Sequence, residues 1–306
     1  MQISVASSSL MAIPIIEAIL SSDHTLASVI STPDQKSGRG QVETPTPLAI
    51  WSEKRELLVA KPFDTPSLNQ HLLTAQPQLI VTTSYGRIIP VEVLHGPRFG
   101  WLNVHFSLLP RWRGAAPVQW SLLEGDAVTG ISIFKLDKGI DTGPVYLQEE
   151  VEIGPMDSTT DLLERMSAVA GLRIMGVIEE IRKGVKPKPQ SNVGITLAPK
   201  IAKEMAKIDW NDGADSILRK IRALEERPGT WSFFRSERVG IHSVTESLLP
   251  NDLSRPGEVA LSGSSLLIRC LDSTLEIAQI TPAGKKRMSG ADFARGARLV
   301  SGERFE

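Results

Sequence analysis

Short apolar runs alternate with helix-length stretches along the N-terminal half of this chain, and that rhythm leaves few folds open. Ile3–Ala6 precedes a helical pattern at Ile13–Leu20, and the runs Leu26–Ser31, Leu79–Ser84, Leu102–His105 and Ile131–Leu136 follow. Runs this short and continuously apolar are buried on both faces, and strands joined in parallel need a helical crossover between them. The pattern therefore predicts an α/β domain built on a doubly wound, mostly parallel sheet. One helix is marked at both ends. Ser158 stands as an N-cap with Asp161 three residues on, while Arg182 and Lys183 occupy the last turn before Gly184, Pro187 and Pro189. This helix is expected to close the first domain.

With 306 residues, 41% hydrophobic and 23% charged, the chain is long enough for two domains. The expected division is a first domain over 1–186, a proline- and lysine-bearing linker over 187–207, and a second domain over 208–306. The last of these opens with an amphipathic segment, Ala214–Leu224. It continues with alternating stretches at Val239–Val244, Ser265–Cys270 and Thr274–Ile280, a pattern expected of a small β-barrel.

Several function classes lose support at this point. No apolar run approaches the length that spans a bilayer, and Met1-Gln2-Ile3-Ser4-Val5 lacks a basic leader, so a cytoplasmic protein without a membrane partner is expected. One cysteine, Cys270, rules out an internal disulfide and a cysteine-cluster zinc site. A net charge of −1 does not advertise a polyanion partner, although Lys285-Lys286-Arg287 forms a local basic run in the slightly positive C-terminal third. The first strand ends in Ser7-Ser8-Ser9 where a dinucleotide fold would carry its glycine fingerprint, and neither a phosphate-binding loop nor a His-Glu-x-x-His helix occurs. Chemistry without a metal is expected.

The densest polar constellation is Asn103-Val104-His105. Alternate residues of a strand share a face, so the amide of Asn103 and the imidazole of His105 point the same way. The strand runs directly into Phe106–Gly114, a loop at the edge where open α/β sheets bind ligands. His24, His71, His95 and His242 lack such a setting and read as surface or packed residues. Asp141, in the glycine-punctuated loop Asp137–Pro144, has two readings: a carboxylate returned to His105, or an ordinary turn residue before Thr142-Gly143. Spacing alone leans to the turn. An amide, an imidazole and a carboxylate together suit acyl transfer, and Ser107 lacks the setting of a nucleophile elbow, so direct transfer to an amine is expected rather than an acyl-enzyme.

Asn103–His105, the run Pro110-Arg111-Trp112-Arg113-Gly114-Ala115-Ala116-Pro117 and the Asp137–Gly143 loop closely resemble the signature of the folate-dependent formyltransferases. The resemblance implies the doubly wound formyltransferase fold and 10-formyltetrahydrofolate as donor. It also implies a catalytic asparagine, histidine and aspartate at Asn103, His105 and Asp141. Asn103 and His105 would stabilise the oxyanion as an amine attacks the formyl carbon, with Asp141 supporting His105 and proton transfer to the folate nitrogen. Ser107, Leu108, Leu109 and Pro110 match the family's folate-contacting loop, and Tyr85, Gly86 and Ile88 match a second segment lining that pocket.

Beyond the catalytic domain, Ala198-Pro199-Lys200, Ile208-Asp209-Trp210, Pro282–Met288 and Asp292–Gly296 resemble the branch of the family that formylates methionyl initiator tRNA. The implied C-terminal domain is a barrel of the oligonucleotide-binding type. The implied tRNA contacts are Lys200, Lys285, Lys286 and Arg287, together with Arg39 in a loop reaching the acceptor end. A lysine-arginine patch on a small barrel suits a phosphate backbone, although an isolated basic triplet is more often a solvated loop. The sequence departs from its relatives at Gln41-Val42-Glu43, where they usually continue with lysines, and at Ser7-Ser8-Ser9. A monomer is expected. Rival readings are a formyl-folate hydrolase, a sugar-nucleotide formyltransferase, and an RNA-binding module on an inactive transferase fold.

Overall fold

The computed structural model describes residues 1–37 and 40–306. Two compact units emerge: Met1–Pro117, Ala127–Ile153 and Thr160–Pro199 form the first, and Val118–Asp126, Gly154–Thr159 and Lys200–Glu306 the second.

The first unit is built on a seven-stranded sheet. Its strands in chain order are β1 (Gln2–Ala6), β2 (Thr25–Ile30), β3 (Val59–Ala60), β4 (Leu79–Thr82), β5 (Trp101–His105), β6 (Val128–Lys135) and β7 (Val145–Glu152). They lie in the order β7-β6-β5-β4-β1-β2-β3. The five strands from β5 to β3 pair in parallel, and β6 is antiparallel to both of its neighbours. Strands β1 and β4 are fully buried over Ile3–Ala6 and Leu79–Thr82, as continuously apolar central strands must be. The chain leaves β1 toward β2 and β3, then crosses back to β4 and β5. Strand order therefore reverses between β1 and β4, the switch point where open sheets of this kind leave a crevice at the carboxyl ends. Backbone bonds from Ser8 to Ser84 and from Thr83 to Ala6 hold the two strand ends together there.

The expected long helix spans Thr159–Arg182 and buries Leu162, Met166, Ala170, Ile174, Val177, Ile178 and Ile181, a stripe at helical spacing. Within the stretch read from composition as a linker, the structure divides at residues 199 and 200. Residues before that point pair inside the first unit: Lys188 bridges Val145, and Leu197–Ala198 pair in parallel with Arg113–Gly114. The prolines and lysines that suggest a connector stay at the surface. The backbone between them makes sheet-like bonds that composition does not record.

In the second unit, strands β8 (Trp231–Phe234), β9 (Glu237–Glu246), β10 (Val259–Ser262), β11 (Ser265–Arg269) and β12 (Thr274–Thr281) form an antiparallel sheet in the order β8-β9-β12-β11-β10. The helix Ala214–Leu224, expected from its amphipathic pattern, is present and contributes Ile217 and Ile221 to the core. The C-terminal residues close the sheet on itself. Phe233 and Glu306 exchange two backbone bonds on the β8 side, while Phe305 donates to Gly257 and Glu303 accepts from Val259 on the β10 side. Both sheet edges are thus occupied, which is how a small barrel avoids exposed edges.

Candidate active site

His105 is the last residue of β5 and 5% exposed. Its Nε2 lies 2.8 Å from the carbonyl oxygen of Trp112. A carbonyl only accepts, so Nε2 carries the hydrogen and Nδ1 is the nitrogen that faces a second group. That group is Asp141, whose Oδ2 lies 3.7 Å from Nδ1 and also accepts a 2.8 Å bond from the Gly114 amide. Asn103, two residues earlier and half-buried, shares the His105 face of the strand, as the alternation requires.

Bringing Asp141 to His105 requires a detour. Because β6 runs antiparallel, its end at Lys135 lies opposite Leu102, whereas His105 lies opposite Ser132. The loop after β6 therefore starts at the wrong end of β5 and must return along roughly 10 Å of strand. Asp137 starts the return: its Oδ1 accepts from the Gly139 amide at 2.9 Å and from the Thr142 hydroxyl at 2.7 Å. Turn chemistry in this loop thus falls to Asp137, and Asp141 is left to face the imidazole. Asp141 sits at φ 52°, in the left-handed region, where a non-glycine residue persists only when its surroundings hold it. Two glycines permit the close approaches. A Cβ on Gly143 would fall 1.8 Å from the Lys135 carbonyl oxygen, and one on Gly114 would fall 2.6 Å from that of Ala198.

The 106–110 loop is fixed from below by β6 and β7. The Ser132 hydroxyl donates to the Ser107 carbonyl at 2.7 Å and accepts from the Leu109 amide at 2.9 Å, while Gln148 donates to the Leu109 carbonyl at 2.7 Å. Ser107 and Leu109 are buried, and Leu108 and Pro110 are half-exposed. Ser107 donates its hydroxyl proton to the Arg111 carbonyl at 2.6 Å, a loop-shaping bond. Tyr85 and Gly86 follow β4 at the same carboxyl edge. Burial, foremost, pushes the Tyr85 phenol above its ordinary range. Ile88 is 86% exposed, and Arg87 beside it is tied to the carbonyls of Pro62 and Phe63.

Sequence reasoning missed Ser132 and Gln148, and also Gln190 and Thr196, whose side chains bond the Asp141 carbonyl and the Trp112 amide. Ser132 was findable, since it lies on an expected strand, but its partner at Leu109 is fixed only by register. Gln148, Gln190 and Thr196 carry no local signal.

The expected tRNA contacts fall in the second unit, apart from Arg39, which lies outside the described residues. Lys200, Lys285 and Lys286 are exposed, the last two in the turn between β12 and Met288. Arg287 is half-exposed and partly engaged, its Nη2 lying 3.1 Å from His242 Nδ1 and its Nη1 3.8 Å from Glu225. Among the described residues no helix is long and apolar enough to cross a membrane.

A doubly wound sheet with these polar groups at its carboxyl edge, followed by a small closed barrel, matches a known pair of domains. Residues 1–178 match the formyl transferase family and 200–298 match the formyl transferase C-terminal domain, so the chain belongs to the formyl transferase family. It is 38% identical over 306 residues to the methionyl-tRNA formyltransferase of Salinispora tropica, covering 99% of each chain. With that of Thermobifida fusca it shares 37% over 297 residues, covering 96% of each. Among solved structures, the methionyl-tRNA formyltransferase of Clostridium thermocellum superposes with a TM-score of 0.59 at 18% identity, over 81% of this chain and 94% of that one. An N-formyltransferase from Helicobacter canadensis, in complex with folinic acid and dTDP-3-aminofucose, gives 0.67 at 18% identity over 92% and 99%. HypX from Aquifex aeolicus, in complex with tetrahydrofolic acid, gives 0.66 at 19% over 96% of this chain, which spans 47% of that protein's length. At such identities these likenesses bear on the fold.

Proposed function

We propose that this chain transfers the formyl group of 10-formyltetrahydrofolate to the amino group of the methionine on initiator tRNA, in the service of translation initiation. The observation that carries the reading is His105, buried at the end of β5 between the Trp112 carbonyl and the Asp141 carboxylate, with Asn103 on the same face. Full-length relatives named for methionyl-tRNA as acceptor support the choice of acceptor over a sugar nucleotide.

The residues fit the folate donor. Leu108 and Pro110 offer half-exposed apolar walls beside backbone groups already set by Ser132 and Gln148, the mix of apolar surface and few fixed polar groups that a heterocycle needs. Asn103 offers amide hydrogens to the negative charge that develops on the formyl oxygen during attack, and His105 helps hold that charge once its Nδ1 has taken a proton. Nε2 stays committed to Trp112, so the Nδ1 side, facing Asp141, is where a proton is exchanged. The amine loses a proton and the departing folate nitrogen gains one, with Asp141 keeping the ring in register between the two events. No residue forms a covalent intermediate. Lys200, Lys285, Lys286, Arg287 and Arg39 contact the tRNA backbone in this reading, and the protein works as a cytoplasmic monomer.

The test is formyl transfer from 10-formyltetrahydrofolate to methionyl initiator tRNA, beside uncharged tRNA, water alone and an amino-sugar nucleotide. Product on the charged tRNA is expected, with turnover roughly a hundredfold lower or worse in His105→Ala if it performs positioned proton transfer. Formate released without acceptor would instead establish a hydrolase, and formylated sugar nucleotide alone would establish the other transferase branch.

A further inference from the structure

Residues 179–199 fall between the two matched family domains. Inside this interval Gln190 makes four hydrogen bonds with one side chain. Its Nε2 donates to the carbonyl oxygens of Asp141 and Gly143, each at 2.8 Å. Its Oε1 accepts from Arg113 Nε at 3.0 Å and Nη2 at 2.6 Å. Two carbonyls can only accept and a guanidinium can only donate, so the amide orientation is unambiguous, and both its donors and both its acceptor sites are used.

The two structures it joins are the two that flank the imidazole. Asp141 and Gly143 belong to the loop that doubles back along β5, and Arg113 immediately follows Trp112, whose carbonyl holds Nε2 of His105. The same interval braces both sides again. Lys188 exchanges two backbone bonds with Val145 at the loop's exit, at 2.7 and 2.8 Å. Thr196 accepts the Trp112 amide on its hydroxyl at 2.8 Å and the Arg113 amide on its carbonyl at 3.0 Å. A loop carrying a left-handed aspartate has little intrinsic preference for its conformation, so these distant bonds must supply it.

We propose that Gln190 is a positioning residue for the reaction: it clamps the doubled-back loop to the Arg113 strand, and so keeps the Asp141 carboxylate beside His105. The interval between the two domains is thereby part of the active site rather than a connector. The inference rests on the formyl-transfer reading of the same site.

Steady-state formyl transfer with the full-length chain tests it, using Gln190→Ala, Gln190→Glu, Asp141→Asn and the double variant Gln190→Ala with Asp141→Asn. Gln190→Glu keeps an acceptor for Arg113 but sets a carboxylate oxygen against the two loop carbonyls, so it loosens the loop without freeing Arg113. Both single Gln190 variants are expected to lower kcat roughly tenfold to a hundredfold, the scale of a misplaced reacting group, with KM for methionyl-tRNA nearly unchanged. In the Asp141→Asn background, Gln190→Ala is expected to cost little more, because both act through one carboxylate. Wild-type kcat in Gln190→Glu, or losses that multiply in the double variant, would overturn the proposal. A wild-type chain that transfers no formyl group refutes the functional reading instead, and that result is in hand before any variant is compared.

Discussion

His242 offers a quantitative check on the second unit. It lies on β9, with Nε2 3.1 Å from the Thr281 hydroxyl and Nδ1 3.1 Å from Arg287 Nη2; Glu225 Oε1 lies 3.7 Å from Nδ1. Burial, foremost, and then the Arg287 charge push the imidazole from 6.5 down to about 4. The ring is neutral in the folded protein at pH 7 and accepts from Arg287. Below pH 6.5 the unfolded chain binds a proton there that the folded chain refuses until pH nears 4. Stability therefore falls as pH falls through this window. With a cost of about 1.4 kcal/mol for each pH unit descended below 6.5, the loss reaches about 2 kcal/mol by pH 5 and about 3 kcal/mol near pH 4. His242→Asn keeps an acceptor for Arg287 and removes the titration. Thermal unfolding of the wild-type and variant chains from pH 7 to pH 4.5 is the assay. The wild-type transition of this unit should descend more steeply, each kcal/mol moving Tm by roughly 4–8 °C for a domain near 100 residues. Wild-type and variant curves that stay parallel across the window, or an imidazole that titrates near 6.5 by NMR, would refute the reasoning.

Phe305→Ala should destabilise the second unit by roughly 3–5 kcal/mol in chemical unfolding, because Phe305 is 1% exposed and packs against Trp210, Phe234 and Phe293. A loss under about 1 kcal/mol would show that the C-terminal residues do not close the barrel in solution. Gly114→Ala should lower kcat for formyl transfer roughly tenfold or more, since φ of 129° and the 2.6 Å approach to Ala198 force the backbone amide away from Asp141. Unchanged kcat in that variant would mean the Gly114 amide does not hold the carboxylate.

Local periodicity is enough to place most of the elements. Apolar strands, the helix after Ser158 and the amphipathic helix Ala214–Leu224 occupy nearly the residues that their patterns predict, because each pattern reflects how neighbours bury the element, on both faces for the central strands and along one stripe for the helices. The shared face of Asn103 and His105 follows from the same period of two and needs no tertiary information. Spacing alone favours a turn role for Asp141, and it is the motif resemblance that assigns this carboxylate to His105.

What carries Asp141 to His105 is written only in three dimensions. The antiparallel turn of β6 sends its loop away from His105, and the return is fixed by Gln190, 49 residues from Asp141, and by the Gly114 amide, 27 residues away. The barrel is likewise closed by Phe305 and Glu306 meeting Gly257 and Phe233. Hydrogen bonds between residues so far apart leave no period in the sequence, and the proline-bearing composition at 187–199 points away from the role its backbone plays. The sequence thus determined the elements and the residue types able to move an acyl group; the packed fold decided which backbone bonds hold them within reach of one another.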